Sequence, residues 1–322
     1  MRQVIMFFTL FAASLLGACS EAQLLPEQAE QAEQAELGQD SLPAIPTQDL
    51  PGFFDCVRES GGVLIASHRA GPDAGYPENA LETLQYGFDK GIRVFEIDMA
   101  TSRDGVLFLM HDRSLGRTTT ANGAVANTDW QEIARARLVD NDGRTTDFHP
   151  PKLTDVLLWA KENGAILELD KKETTGWRSV INTVRAAGAE NNVLLITYND
   201  KDAGLVQELA PNMMLTAGAR GGRDMEKLAR LGVNPEMVVA WTGTREPDSL
   251  AWERLEREGV EAAFGTLGRR AERLDTQYWA DGDPSEYRDM VRDGLVLLAT
   301  DEPYRVAEAL SEDNRALNAC GG

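Results

Sequence analysis

Short apolar runs alternate along the chain with stretches whose apolar residues recur at helical spacing. VLIAS (63–67) has the length and uniform hydrophobicity of a buried strand, and NALETLQYGFDKG (79–91) follows it. In that stretch Leu81, Leu84 and Phe88 fall at i, i+3 and i+7, and Gly91 supplies a stop. RVFEIDMA (93–100) and GVLFLMHD (105–112) read as strands, joined only by TSRD, too short for a helix. LTDVLLWAKENG (153–164) is amphipathic, with Leu153, Val156, Leu157 and Ala160 on one face and Gly164 as its end. AILELD, a helix around TGWRSVINTVRAAG, then NNVLLITY, MMLTAG, EMVVAW, EAAFGT and GLVLLATD continue the alternation. Strand-then-helix repetition predicts a parallel sheet with helices outside it. Nine strand candidates compete for the eight places of a (β/α)8 TIM barrel. MVVAW, in Pro-rich and Gly-rich surroundings, is taken as the surplus one. A doubly wound open sheet is the alternative, although no G-x-G-x-x-G follows the first strand.

The N-terminus breaks this pattern. MRQVIMFFTLFAASLLGACS has one cation, Arg2, then an apolar core too short for a comfortable membrane span, which is the layout of a secretory signal. Leu16-Gly17-Ala18-Cys19 resembles the bacterial lipoprotein cleavage box, which implies removal of residues 1–18 and lipidation of Cys19. Ser20 resembles the residue that follows in lipoproteins sorted to the outer membrane of Gram-negative cells, facing the periplasm. Residues 19–52 carry acids and no base, with PEQAEQAEQAE repeating every three residues; this predicts an acidic, disordered tether. Residues 53–322 form the expected barrel domain. Its membrane contact is the lipid anchor.

Composition narrows the partners. The formal charge is −20, and −21 once residues 1–18 with their single Arg2 are removed, which argues against nucleic acid or anionic headgroups as partners. With Cys19 assigned to lipid, Cys56 and Cys320 remain, one near each end of the domain. They either stay free or pair; an oxidising periplasm and a barrel whose ends meet favour the disulfide.

Chemistry gathers at the strand ends. The first candidate strand ends in His68-Arg69, and the second carries Glu96 and Asp98, whose spacing of two puts both on one side. The third ends in His111-Asp112, and the fourth carries Glu168, Asp170 and Lys172 on one face. Buried acids are costly unless they bind something charged. Carboxylates in this number without cysteine favour a hard divalent metal, Mg²⁺ or Ca²⁺. Arg69 and Lys172 beside it suit a phosphate, and two histidines allow one proton to be taken while another is given.

SHRAG…PENALET, FEIDMATSRDGVLFLMHDRSLGRTTTANG, HPPKLTDVLLWAKENG and GLVLLATDEP together resemble the glycerophosphodiester phosphodiesterase family. The resemblance implies a (β/α)8 barrel with a small insertion after the third strand, here residues 113–149. It also implies metal-dependent hydrolysis of a glycerophosphodiester to glycerol 3-phosphate and an alcohol. On that basis His68, His111 and Arg69 are catalytic, Arg69 and Lys172 hold substrate, and Glu96, Asp98 and Asp170 hold the metal. Asp170 is preferred to Glu168 because Lys172 then falls in the family's acid-x-Lys pair. Glu78 either orders the first loop or starts the helix, or reaches the metal. Ala70 stands where the family has glycine, and PENA replaces PENT. His149 reads as a loop residue, and Trp241 and Trp279 are left unassigned. Two other functions remain open: a related barrel cyclising lysolipid or sphingolipid phosphodiesters, and a non-catalytic phosphodiester-binding lipoprotein. The second needs no proton-transfer pair, which the two histidines supply.

Overall fold

The computed structural model describes residues 49–311 and Cys320. The cleavage box, Cys19 and residues 20–48 of the tether lie outside the described residues. Nine strands are present: β1 (Leu64–Ser67), β2 (Val94–Thr101), β3 (Leu107–Leu109), β4 (Ile166–Lys171), β5 (Val193–Ile196), β6 (Met214–Gly218), β7 (Val238–Trp241), β8 (Glu261–Gly265) and β9 (Leu297–Thr300). Eight of them run parallel in the order β1-β2-β4-β5-β6-β7-β8-β9, and β9 pairs back to β1, so the sheet closes into the expected (β/α)8 barrel.

The surplus strand is β3, not MVVAW. β7 is a barrel strand paired on both sides, whereas β3 is antiparallel to the overhanging end of β2, with Met99 opposite Leu109 and Thr101 opposite Leu107. The physical reason is connection length. A parallel return needs a crossover of a dozen or more residues, and the link from β2 to β3 permits only a hairpin.

The helices in chain order are α1 (Leu50–Glu59), α2 (Leu81–Asp89), α3 (Trp130–Ile133), α4 (Leu153–Asn163), α5 (Trp177–Ala187) and α6 (Asp200–Leu209). After them come α7 (Arg223–Arg230), α8 (Ser249–Arg257), α9 (Leu274–Tyr278), α10 (Ser285–Arg292) and α11 (Pro303–Ala309). α4 and α5 stop at Gly164 (φ 64°) and Gly188 (φ 62°), left-handed positions that glycine occupies without a Cβ penalty. Outward strand residues such as Ile97 and Leu169 pack under Val156 of α4 and Val180 of α5. Leu115, Val125 and Ile133 of the insertion between β3 and α4 pack with Met110, Phe108 of β3 and Ala100 of β2 in a small separate core.

α1 closes the opposite end. Leu50, Phe53, Phe54 and Val57 pack on residues from the strand starts, among them Leu64, Val94 and Ile166. The helix therefore begins before residue 53, because Leu50 is itself part of the barrel floor. Arg58 Nε donates to Glu261 Oε1 at 2.9 Å, joining α1 to the first residue of β8. Cys56 on this helix is bonded to Cys320, with Cα atoms 5.8 Å apart. With α1 packed over its floor, the barrel opens at the strands' C-terminal ends, where barrels of this kind carry their sites.

The disulfide closes almost the whole domain into one loop. Replacing both Cys56 and Cys320 by Ala should lower unfolding free energy by up to about 5–6 kcal/mol on the chain-entropy model, with the fold retained. Urea unfolding under non-reducing conditions checks this; an unchanged midpoint would show that the bond constrains nothing in the unfolded chain.

Candidate active site

β2 and β4 lie in register, with Glu96 beside Glu168 and Asp98 beside Asp170. The two-residue spacing aims all four carboxylates to one side of the sheet, and all are buried. Oxygens of Glu96, Asp98 and Asp170 fall within 4.8 Å of one another. Burial, then the charges of Asp98 and Asp170, push the Glu96 carboxyl well above its ordinary range. Burial and Asp170 push Glu168, just below the triad, up to about 7. Asp98 is the exception: burial acts upward, but Lys172, His111 and Asn79 leave it below its usual value.

The compensating donors are few. Lys172 Nζ sits 2.5 Å from Asp98 Oδ1 and 2.6 Å from Asp170 Oδ2. Tyr198 donates its hydroxyl to Asp170 Oδ2 at 2.7 Å, although its ring is largely exposed. Asp170 Oδ1 is buried with no hydrogen-bond partner. Three carboxylates against one lysine, all donors oxygen, and one oxygen unpartnered make a set that fits a hard divalent cation. Glu168 stays outside the triad.

The turn after β1 is strained. Arg69 (φ 53°) and Ala70 (φ 71°) both lie in the left-handed region, which costs a non-glycine residue on the order of 1 kcal/mol or more. Ala70 thus occupies a position where the family's glycine would be unstrained. The turn is pinned from outside: Arg69 N donates to Glu96 Oε2 at 2.7 Å, and Asn79 N donates to Arg69 O at 3.0 Å. Asn79, itself at φ 59°, clasps Asp98 both ways, Nδ2 to Oδ2 at 2.7 Å and Asp98 N to Oδ1 at 2.9 Å. The Arg69 side chain reaches over the same acids, with Nε 3.8 Å from Asp98 Oδ2 and no hydrogen bond of its own.

His68 Nδ1 lies 2.7 Å from Asp301 Oδ1, and its Nε2 faces Glu96 Oε2 at 4.0 Å. Burial pushes the Asp301 carboxyl up, but His68, the Gly268 amide and Arg273 outweigh it and bring the group down to about 2. Its own amide donates to the buried Asp275. His111 makes the matching arrangement, Nδ1 2.7 Å from Asp112 Oδ1. Both imidazoles are thereby fixed by the same nitrogen, leaving Nε2 for proton exchange. His111 does not stand at a barrel strand end. The β3 hairpin carries it back, with Met110 N donating to Asp98 O at 2.9 Å.

Arg117, in the insertion, holds two of these acids. Nε and Nη2 donate to Asp112 at 2.6 and 2.9 Å, and Nη1 and Nη2 donate to Glu78 at 2.8 Å each. Glu78 also takes Arg69 Nη1, at 3.2 and 3.4 Å, so it orders the loop and lies outside the carboxylate triad. His149 bonds Ala136 O within the insertion. Trp279 packs on Tyr287 under Arg305, away from the mouth, while Trp241 lies across Gly265 at the end of β7. Asn79, Arg117 and Asp301 are members of the site that residue reasoning did not nominate, whereas Asp112 was named at the end of the third run without a role. Asp301 carried a readable signal, as an acid ending an apolar strand.

Residues 68–234 match the model of the glycerophosphoryl diester phosphodiesterase family, about half of the chain. A Bacillus subtilis protein, YqiK, is 30% identical over 155 residues, which spans 46% of this chain and 63% of that one. The crystal structure of a glycerophosphoryl diester phosphodiesterase from Parabacteroides distasonis superposes with a TM-score of 0.72 at 27% identity, covering 85% of this chain and 94% of that chain. An Oleispira antarctica phosphodiesterase, solved with the product sn-glycerol-3-phosphate, shares the fold at a TM-score of 0.58 and 20% identity, over 79% and 99% of the two chains.

The crowded acids imply a pH dependence. Glu168 rises from 4.5 to about 7 on folding, so the native state holds its proton more tightly than the unfolded chain. Stability should be greatest below about 4.5 for this group and fall by roughly 3 kcal/mol as pH rises through 7. Glu96 and Glu261 shift in the same direction. Urea unfolding in chelator at pH 5 and pH 8 should show the loss, and Glu168→Gln should make it smaller. A stability that climbs across that window would contradict the buried-acid account.

Proposed function

The chain belongs to the glycerophosphoryl diester phosphodiesterase family, and from that premise we propose that it hydrolyses glycerophosphodiesters to glycerol 3-phosphate and an alcohol in a metal-dependent reaction. The observation that carries this reading is the convergence of Glu96, Asp98 and Asp170 with Lys172, Arg69 and two carboxylate-tied histidines at one barrel mouth. The product found in the Oleispira antarctica phosphodiesterase supports the substrate class.

Glu96, Asp98 and Asp170 would hold Mg²⁺ or Ca²⁺, which when bound supplies Lewis-acid stabilisation of charge on the phosphoryl oxygens. Arg69, whose Nε has no other hydrogen bond, and Lys172 bind the phosphate oxygens and keep the phosphorus at the mouth. One histidine, neutral at Nε2, takes a proton from the attacking oxygen as the new P–O bond forms. The other, protonated at Nε2, gives its proton to the alcohol oxygen as the old P–O bond breaks. Asp301 and Asp112 fix the two ring orientations.

For location, the reading is a lipoprotein held through Cys19 at the outer membrane of a Gram-negative cell, facing the periplasm. Its support is the cleavage-box pattern and the acidic segment that follows it. No helix among the described residues is long and apolar enough to cross a membrane.

The test uses the chain without residues 1–18, stripped of metal with chelator. Glycerophosphocholine or glycerophosphoethanolamine should release glycerol 3-phosphate only when Mg²⁺ or Ca²⁺ is returned. Glu96→Ala and His111→Ala should each lower kcat/KM by about a thousandfold or more. Full turnover in chelator would refute the metal, and near-normal turnover in either variant would refute that residue's role.

A further inference from the structure

Arg117 has an unusual position for a residue of the insertion. Its guanidinium uses three nitrogens to make four hydrogen bonds of 2.6–2.9 Å to two carboxylates from separate segments. One carboxylate, Asp112, orients the His111 ring through Nδ1. The other, Glu78, is 4% exposed and is also the acid nearest the Arg69 guanidinium tip. The contacts are unequal: Arg117 donates to Glu78 through Nη1 and Nη2 at 2.8 Å each, whereas Arg69 comes no closer than 3.2 Å. Arg117 is therefore the tighter partner of Glu78, which accepts more weakly from Arg69 Nη1 as well.

We infer that Arg117 is a positioning residue with two separable effects, fixing His111 through Asp112 and sparing Arg69 for phosphate by neutralising Glu78; the inference rests on the function proposed above. The first effect concerns proton transfer. Without Arg117 the Asp112 carboxylate is free to rotate, and Nε2 of His111 is no longer held on the reacting oxygen. The second concerns binding. Without Arg117 the buried Glu78 must be met by Arg69, whose guanidinium then turns away from the mouth. A lysine cannot substitute, because a single ammonium does not present two planar edges to two carboxylates.

The experiment compares Arg117→Ala, Arg117→Lys and the double variant Arg117→Ala/Glu78→Gln with the wild-type chain, at saturating Mg²⁺, on glycerophosphocholine. Arg117→Ala should lower kcat by about 10- to 100-fold and raise KM several-fold. Free guanidinium ions, entering a site whose native side chain is partly exposed, should restore its kcat, and ammonium ions should not. The double variant should recover KM, since Glu78 no longer draws Arg69, while kcat stays low. Arg117→Lys, which keeps the charge, should retain KM better than kcat and serves if the alanine variant does not fold. A folded Arg117→Ala or Arg117→Lys enzyme with wild-type kcat would overturn the His111 effect, as would a low kcat that guanidinium leaves unchanged. KM unaltered by Arg117→Ala, or unrecovered in the double variant, would overturn the Arg69 effect. No turnover by the wild-type chain would instead sink the function on which the inference rests.

Discussion

The structure depends on three carboxylates forced together in a buried place. Nothing in the packing of β2 against β4 requires Glu96, Asp98 and Asp170 to face each other; leucines at these positions would fold at lower cost. Holding the acids there obliges the surroundings to supply donors, and the donors shape the mouth. Lys172 wedges between Asp98 and Asp170, Tyr198 reaches across from the loop after β5, and the amide of Arg69 turns inward to Glu96. That last contact explains why two residues with side chains tolerate left-handed conformations after β1. The strain of the turn and the repulsion of the acids relieve one another, and Asn79 extends the same bargain by clasping Asp98.

A second motif repeats around this centre. Each of the two histidines at the mouth is tied through Nδ1 to a carboxylate, and an arginine contacts each carboxylate: Arg117 is the main group lowering Asp112, while Arg273 adds to the larger effects of His68 and the Gly268 amide on Asp301. The supports come from opposite ends of the chain. His68 is held by the last barrel strand's exit, where Gly268 and Asp275 also fasten Asp301. His111 is held by the insertion. The two imidazoles therefore rest on independent pieces of structure, which lets one be displaced without the other.

Barrel strands were legible because apolar runs of strand length are hard to place anywhere else, and all nine runs are strands. The misassignment of MVVAW came from weighing its Gly-rich flanks over a firmer constraint, the shortness of the link after β2. Glu96, Asp98 and Asp170 were legible for a similar reason, since charge at period two inside an apolar strand stands out against its background. Asn79 and Arg117 lie in turns where polar residues are ordinary, so no periodicity marks them, and Asp112, though it ends an apolar run, gave no hint of its partner. Their importance is a matter of three-dimensional meeting: Glu78 and Asp112 are far apart in sequence and share one guanidinium.

The hairpin that spoiled the strand count is what completes the site. A barrel with only parallel strands brings residues to its mouth from strand ends alone, and each such residue is followed at once by a loop leading to a helix. β3 instead folds back along the overhang of β2, so Met110 bonds the backbone of Asp98 and His111 arrives beside the acids from outside the barrel wall. The chain then has to travel to α4, and it does so through an insertion that shares a small separate core with β2 and β3. That core is the base from which Arg117 reaches back to both Asp112 and Glu78. The insertion is therefore built into the mouth rather than an ornament on the barrel, while α1 and its disulfide pack and tie the opposite end.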